Sequence, residues 1–579
     1  MPTLFFAPSI RNCPFCGAAL KVKKTRNKKV VTLHIGAFQA HETVLECPDC
    51  DSDVCCGSEQ LLKLKPFRST FGYDILVYAG KAMFLRCRNE GEIQQELAEK
   101  HVEISEREIS YLARKFVVYL AVAHRQSREK IKRLMQSRGG YILHLDATCE
   151  GDSPHLLSGI DGITEIVLEN VKLASEKAEK IIPFLQKIEQ LYGQPLALVH
   201  DMGKGILSAV KEVFPDSPDF ICHYHFLSAV GKNLFGKEND QIRARLRKHG
   251  IQGKLHKRVR EYKGMIDDHP AALHSFSSGL NGNTPQPSGP FTHDALVATY
   301  AFVLWALEGK KQAQGYGFPF DRVYLNFYQR LKILHSGLTQ LKDLHRGSRK
   351  DTKPYVKVLR DLIDTMEDSL LRKTAQSMQE KTAVFDKLRE AMRIALPSGH
   401  CGLNDKGEGS DMHTIEKAVK QFCLWISADE RMSKQKEYQK MIAQIKHYWQ
   451  KLFSDPLLLN TSTGTLAIQP QRTNNVLERL FRELKRRYRK KSGMNGLSKI
   501  LRAMLGDTPL VKNLENPDYL KIILDGSETL EERFSEIDVL LVQKEVSRIT
   551  TRSEKVPSQI KKLIKRPELP DLLVALFSG

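Results

Sequence analysis

Hydrophobic and polar positions change their spacing several times along the chain, and each change marks an expected boundary. Up to about residue 57 the chain is basic and β-prone, as in VKKTRNKKVVTLHI. Residues 58 to about 135 take the helical period in FGYDILVYAGKAMFLRC, EIQQELAEK and SEREISYLARKFVVYLAVAH, the last opened by an expected capping box of Ser105 and Glu108. From residue 140 apolar strands alternate with amphipathic helices. YILHLDAT reads as a strand, HLLSGIDGITEIVLEN as two strands around a turn, and ASEKAEKIIPFLQKIEQLYG as a helix. PLALVHD (strand), KGILSAVKEVFP (helix), DFICHYHF (strand) and LSAVGKNLF (helix) follow. Residues 232 to about 460 are long and mostly helical, divided by the loops SFSSGLNGNTPQPSGP and PSGHCGLNDKGEGSD. Trp305, Trp425 and Trp449 fall in this part and are expected to pack in its cores. The tail after residue 505 reads as a mixed helical appendage with a basic stretch, IKKLIKR.

The central order, β-β-β-α-β-α-β-α, is that of a ribonuclease H-like α/β core. The expected fold is therefore multidomain α+β. A zinc ribbon is expected at 1–57, a helical helix-turn-helix domain at 58–135, and the first part of the ribonuclease H-like core at 136–235. An all-α insertion then covers 236–460, the second part of the core 461–505, and a helical tail 506–579.

Composition narrows the partners. The 579 residues are 41% hydrophobic and 27% charged, as in globular chains, with a net charge of +21 and a pI near 9.3. That excess of cations points to a polyanion, nucleic acid first and an anionic membrane surface second. No apolar run approaches the roughly 18 residues that cross a bilayer, so no membrane is expected. The start has no basic segment followed by a long apolar stretch, so an intracellular protein is expected, and without a separate basic targeting tract a bacterial cytoplasm, associated with the nucleoid. Eleven cysteines in such a chain read as metal ligands or buried thiols rather than a disulfide framework.

Cys13 and Cys16 (CPFC) and Cys47 and Cys50 (CPDC) form two CxxC pairs, which let four thiolates converge on one tetrahedral Zn2+. Two redox pairs or unligated thiols are the competing reading, but no thioredoxin-like βαβ pattern surrounds them. Cys55 and Cys56 can substitute for one ligand, so the set stays open. In the helical segment the short turn HVEI suits a helix-turn-helix, which puts Arg107, Ser110, Tyr111 and Arg114 on the exposed face of a recognition helix; a plain three-helix unit is the alternative.

Asp146 (LHLDAT) and Asp201 (PLALVHD) sit where strands end, facing a crevice, because an unpaired buried carboxylate costs several kcal/mol. In the expected sheet they are neighbours, and hard oxygen ligands this close suit Mg2+ or Mn2+ between them. Glu478, in TNNVLERLFRELKRR, has two readings. It is N3 of a helix capped at Asn475 and an i,i+4 partner of Arg482, or it is a third ligand on the border of the apolar stripe Leu477, Phe481, Leu484 and Tyr488. Arg479, Arg482, Arg486, Arg487 and Arg489 cover the other faces of that helix, as phosphate contacts would. Cys222 and His225 read as a pair packed near the acidic site, since two ligands do not hold structural zinc. Turn and capping duty accounts for Asp152, Asp161, Asp216 and Asp219.

LHLDAT, then VHDMGKGILSAVKEVFPD with CHYH after it, then TNNVLERLFRELKRR, resemble the three acidic blocks of the Mutator-like DDE transposases of insertion sequences. The likeness covers about residues 140 to 235 and 465 to 495. It implies a ribonuclease H-like fold with a helical insertion before the glutamate, Asp146, Asp201 and Glu478 as the catalytic, metal-holding triad, and Cys222 and His225 as the family's C-x-x-H. It further implies cleavage of transposon-end DNA and strand transfer into target DNA with Mg2+ or Mn2+, double-stranded DNA as partner, and a homodimer to join two ends. Two other readings stand beside it: a non-catalytic DNA-binding protein of transposase descent, and a structure-selective nuclease on the same fold.

Overall fold

The computed structural model describes residues 1–50, 55–268, 270–280, 291–311, 313–344, 353–396, 412–453, 455–461, 464–550 and 558–578. Two compact units emerge, Met1–Phe220 with Pro456–Gly579, and Ile221–Asp455. The architecture is multidomain α+β.

The first unit opens with a small sheet. Strand β2 (Lys21–Thr32) turns through Gly36, whose φ of 77° suits glycine, into β3 (Gly36–Glu46). β1 (Thr3–Phe6) runs parallel to β3 on one side, and β4 (Cys55–Cys56) pairs antiparallel to it at Leu45 and Glu46. Its own core is small, Phe6, Val30, Phe38 and Ala40, completed by Leu61 from helix α1 (Glu59–Leu64).

Helices α2 (Tyr73–Phe84), α3 (Glu90–Ala98), α4 (Glu106–Gln126) and α5 (Arg128–Ser137) follow. α2 and α4 cross so closely at Gly80 that a Cβ there would sit 2.1 Å from Phe116 Cγ. Ser105 accepts from the Glu108 N–H at 3.3 Å, and a reciprocal capping box, not anticipated, opens α3 at Asn89 and Glu92.

The five-stranded sheet has the order β7-β6-β5-β8-β9, with β5 (Ile142–Thr148) central. β6 (His155–Asp161) and β7 (Val167–Leu173) meander antiparallel beside it, while β8 (Ala197–His200) runs parallel to it. β9 is Asp219–Ile221, and helices α6 (Ala178–Tyr192) and α7 (Lys204–Val213) lie between the later strands. Asp161 does turn duty: its carboxylate accepts from the N–H groups of Ile142, Ile163 and Thr164. A hairpin that the sequence did not suggest, β10 (Leu457–Thr461) and β11 (Gly464–Ile468), packs Leu457 and Ile468 on Ile142, Ala197 and Val199.

The segment after residue 505 is helical, and its first part packs into the core of this unit. Tyr519 and Phe534 are fully buried in the main core of this unit, and Phe534 stacks on Tyr119 at 5.4 Å. His124 of α4 bonds the Tyr519 hydroxyl at 2.9 Å and donates to the Leu168 carbonyl at 2.9 Å. Burial pushes its pKa down to about 4. Because the unfolded imidazole titrates near 6.5, the unfolded chain takes up the proton first as pH falls. Stability from this group is therefore complete above about pH 6.5 and should fall by about 3 kcal/mol as pH drops to 4. Urea unfolding across that range checks this, and His124→Gln should remove that part of the slope.

The second unit is helical. The expected strand DFICHYHF is half right: β9 stops at Ile221, buried Cys222 is the N-cap of helix His223–Lys248, and His225 lies in that helix's first turn. Trp305 and Trp425 are not core residues; each is more than a third exposed, with Arg330 4.5 Å and Lys387 3.9 Å above their rings. Trp449 is half-buried and donates to Glu416 Oε1 at 3.0 Å. Residues 281–290 and 397–411, most of the two divider loops, lie outside the described residues.

Candidate active site and cysteine cluster

Two neighbouring parallel strands carry the aspartates. The β5–β8 register runs from Ile142 opposite Ala197 to Leu145 opposite His200, so the next positions are Asp146 and Asp201. Adjacent strands are about 4.8 Å apart, which sets the two carboxylates side by side at one sheet edge. Asp146 is buried and accepts from the Ala147 N–H at 2.8 Å; Asp201 is half-buried and accepts from the Gly203 N–H at 2.9 Å. Gly205 begins the next helix against the Glu176 carbonyl, which a Cβ would approach to 1.8 Å.

Glu478 arrives on helix Asn475–Ser492, whose buried face is Val476, Leu477, Leu480, Phe481, Leu484 and Tyr488. The N-cap is Asn474, not Asn475, and its side chain does not cap the helix. Instead Asn474 Nδ2 donates to the Leu145 carbonyl at 2.7 Å, and Oδ1 accepts from His144 Nδ1 at 3.1 Å. The imidazole of His144 is fully buried, which pushes its pKa down to about 4 and keeps it neutral in this role. The helix is thus pinned to β5 beside Asp146, and Glu478, four residues on, shares the pinned face about 6 Å higher. This removes the capping-box reading. The ion pair with Arg482 is absent too: among the described residues the half-buried Glu478 carboxylate has no hydrogen-bond or ion-pair partner.

Carboxylate oxygens are the donor type that a hard cation such as Mg2+ or Mn2+ takes. The three carboxylates are not among the groups of described residues whose ligand atoms all lie within 4.8 Å of one another; those groups are Cys13, Cys16, Cys47 and Cys50, and Cys149, His155 and Glu176.

The cysteine cluster follows from the hairpin. Lys21 pairs with Glu46, so CPFC just before β2 and CPDC just after β3 meet at one end. Sγ of Cys13 is 3.7 Å from Cys50, and Sγ of Cys16 is 3.4 Å from Cys47. Tetrahedral zinc at about 2.3 Å from each sulfur spaces the sulfurs about 3.8 Å apart, so this cluster, with Cys13 and Cys47 buried, can hold such a metal. Backbone N–H groups of Cys16 and Phe15 bring the Cys13 thiol down to about 7, while the three neighbouring thiols push Cys50 well up. A divalent cation relieves that crowding of charge. Cys55 and Cys56 are strand residues of β4, and Cys56 is not in the set found among the described residues.

The cationic residues divide. Arg107, Tyr111 and Arg114 are exposed on α4, with Lys115 Nζ 5.0 Å above the Tyr111 ring. Ser110 is half-buried and bonded to Glu90 at 2.8 Å. Arg482 and Arg486 are exposed, and Arg479 pairs with Glu165 at 3.0 Å. Arg487 departs from its expected role as a phosphate contact: it is half-buried, bonded to Glu483 at 2.5 Å, to Glu515, and to the Phe84 carbonyl at 3.2 Å. Its place in the helix turns it toward the end of α2 instead of outward. If the exposed Arg482 and Arg486 contact DNA phosphates, Arg482→Ala and Arg486→Ala should each lower the slope of log affinity for DNA against log salt by about one, with unchanged melting. Arg487→Ala should instead cost about 1–2 kcal/mol of stability and leave that slope alone. Salt-titrated binding and thermal melts separate the two outcomes.

No protein-family model matches this chain, and no curated protein matches it either.

Proposed function

We propose that this protein is a DDE-type DNA transposase that cleaves transposon-end DNA and joins it to target DNA. The observation that carries the reading is the placement of Asp146 and Asp201 on adjacent positions of β5 and β8, with the Glu478 helix pinned to the same strand through Asn474. The sheet order, three meandering strands followed by a parallel one, supports a ribonuclease H-like core. The resemblance of the three acidic blocks to Mutator-like transposases supports the reaction.

In this reading Asp146, Asp201 and Glu478 hold Mg2+ or Mn2+. When bound, such ions supply Lewis acidity to a phosphodiester and to the oxygen that attacks it. Water first breaks the bond at the transposon end and leaves a 3′-hydroxyl; that hydroxyl then attacks a target phosphodiester, so one such bond replaces another. Arg482 and Arg486 hold phosphates beside Glu478 without reading bases. Arg107, Tyr111 and Arg114 lie on the expected recognition helix of a helix-turn-helix, and the zinc ribbon assists it. A homodimer on double-stranded DNA, in a bacterial cytoplasm at the nucleoid, suits a reaction that joins two ends.

The test is strand transfer by the purified chain with Mg2+ or Mn2+, using labelled DNA from the ends of the element that encodes it. Joined product supports the proposal. Cleavage without joining would point to a nuclease, and binding without cleavage to a DNA-binding protein; either overturns it.

A further inference from the structure

We infer that Cys149, His155 and Glu176 form a second site for a zinc-like ion, separate from the cysteine cluster and from the aspartates. The β5–β6 register ends with Thr148 opposite Leu156, so Cys149 and His155 occupy the next facing positions across the two strands. Glu176 comes from the segment between β7 and α6, with its carbonyl so close to Gly205 that a Cβ there would come within 1.8 Å of it. One thiol sulfur, one ring nitrogen and one carboxylate oxygen lie within 4.8 Å of one another. His155 Nδ1 is 2.6 Å from Glu176 Oε1. Cys149 is exposed, and the other two are half-buried, so an ion can enter from solvent.

The site is distinct from the acidic one although it shares a strand. Side chains alternate along β5: His144, on the face of Asp146, meets Asn474, whereas Leu143 and Leu145, on the other face, pack with Ile188 around Gly159. His155 is four positions from Gly159 along β6 and lies on that second face, and Cys149 stands beside it. Its donor set also differs. Thiolate, imidazole and carboxylate together suit Zn2+ or Co2+ over Mg2+, and three protein ligands leave a fourth position for water or an external ligand.

Binding there has a structural consequence. The turn after Cys149 carries Glu150 and Asp152, which bond Ser498 N at 2.8 Å and Arg502 in helix Leu497–Ala503. That helix follows the one bearing Glu478. An ion on Cys149 and His155 therefore fixes the turn that holds the next helix after the acidic site.

The experiment uses the full chain, reduced and stripped of metal, titrated with Zn2+ against a chromophoric chelator in excess Mg2+. Two tight equivalents are expected for the wild type, and one for Cys149→Ser and for His155→Gln, with unchanged circular dichroism before metal is added. Cys47→Ser should keep the equivalent that Cys149→Ser loses. Zn2+ should slow alkylation of Cys149, and Co2+ at this site in the Cys47→Ser chain should show thiolate charge-transfer absorption that Cys149→Ser on the same background lacks. A single equivalent in the wild type that survives Cys149→Ser, or alkylation of Cys149 indifferent to Zn2+, would overturn the inference. Neither readout depends on DNA cleavage.

Discussion

On the proposed transposase reading, Glu478→Gln should lower DNA cleavage and strand transfer by about a thousandfold or more while leaving end binding and melting temperature unchanged. The substitution keeps the shape and removes the charge. A lost ligand charge at a metal-assisted phosphoryl site costs several kcal/mol of transition-state stabilisation, and each 1.36 kcal/mol is a factor of ten. Folding should not notice, because among the described residues the Glu478 carboxylate has no partner to lose. Asn474→Ala is the contrasting variant. It strips the Leu145 carbonyl and His144 of bonds that are fully buried, so it should lower melting temperature and cleavage together. Single-turnover cleavage beside thermal melts tells them apart. Normal cleavage by a folded Glu478→Gln chain would remove Glu478 from the chemistry and leave it a helix-surface residue.

What could be read in advance depended on how local each signal is. Asp146 and Asp201 each end an apolar run, a pattern contained in a few residues, and the register sets them on adjacent positions. The CxxC pairs are equally local, and the hairpin between them closes the cluster. The anchoring of the Glu478 helix was not legible, because Asn474 spends its side chain on residues about 330 positions away, where a cap would use its own helix. The same distance hid the burial of Tyr519 under His124. Arg487 looked like one more exposed cation in a basic run; only the fold brings Glu515 and the Phe84 carbonyl to it. The trio of Cys149, His155 and Glu176 joins a strand end, a strand start and a loop, and no spacing rule links those three.

Cys47→Ser, or removal of metal by a chelator, should open one end of the N-terminal sheet and leave the other closed. The turn end is fastened to the helical domain: Val31 N donates to the Thr70 carbonyl at 2.9 Å, Gly72 N to the Val31 carbonyl at 2.8 Å, and Leu33 N to Asp74 Oδ2 at 2.7 Å. The cysteine end has no comparable apolar support, since the sheet's own core is five residues and most of β2 before Val30 is exposed. Structural zinc in small domains contributes folding energy outright, of order 10 kcal/mol or more, so its loss should cost local stability of at least about 4 kcal/mol. Amide exchange should then speed up by about a thousandfold at residues 13–29 and 39–50, and change little at 30–38. If α4 reads DNA ends with help from the N-terminal sheet, end binding should weaken in the same variant while Asp146, Asp201 and Glu478 stay in place. Uniform exchange along the whole hairpin, with or without metal, would show that the four cysteines do not support the sheet.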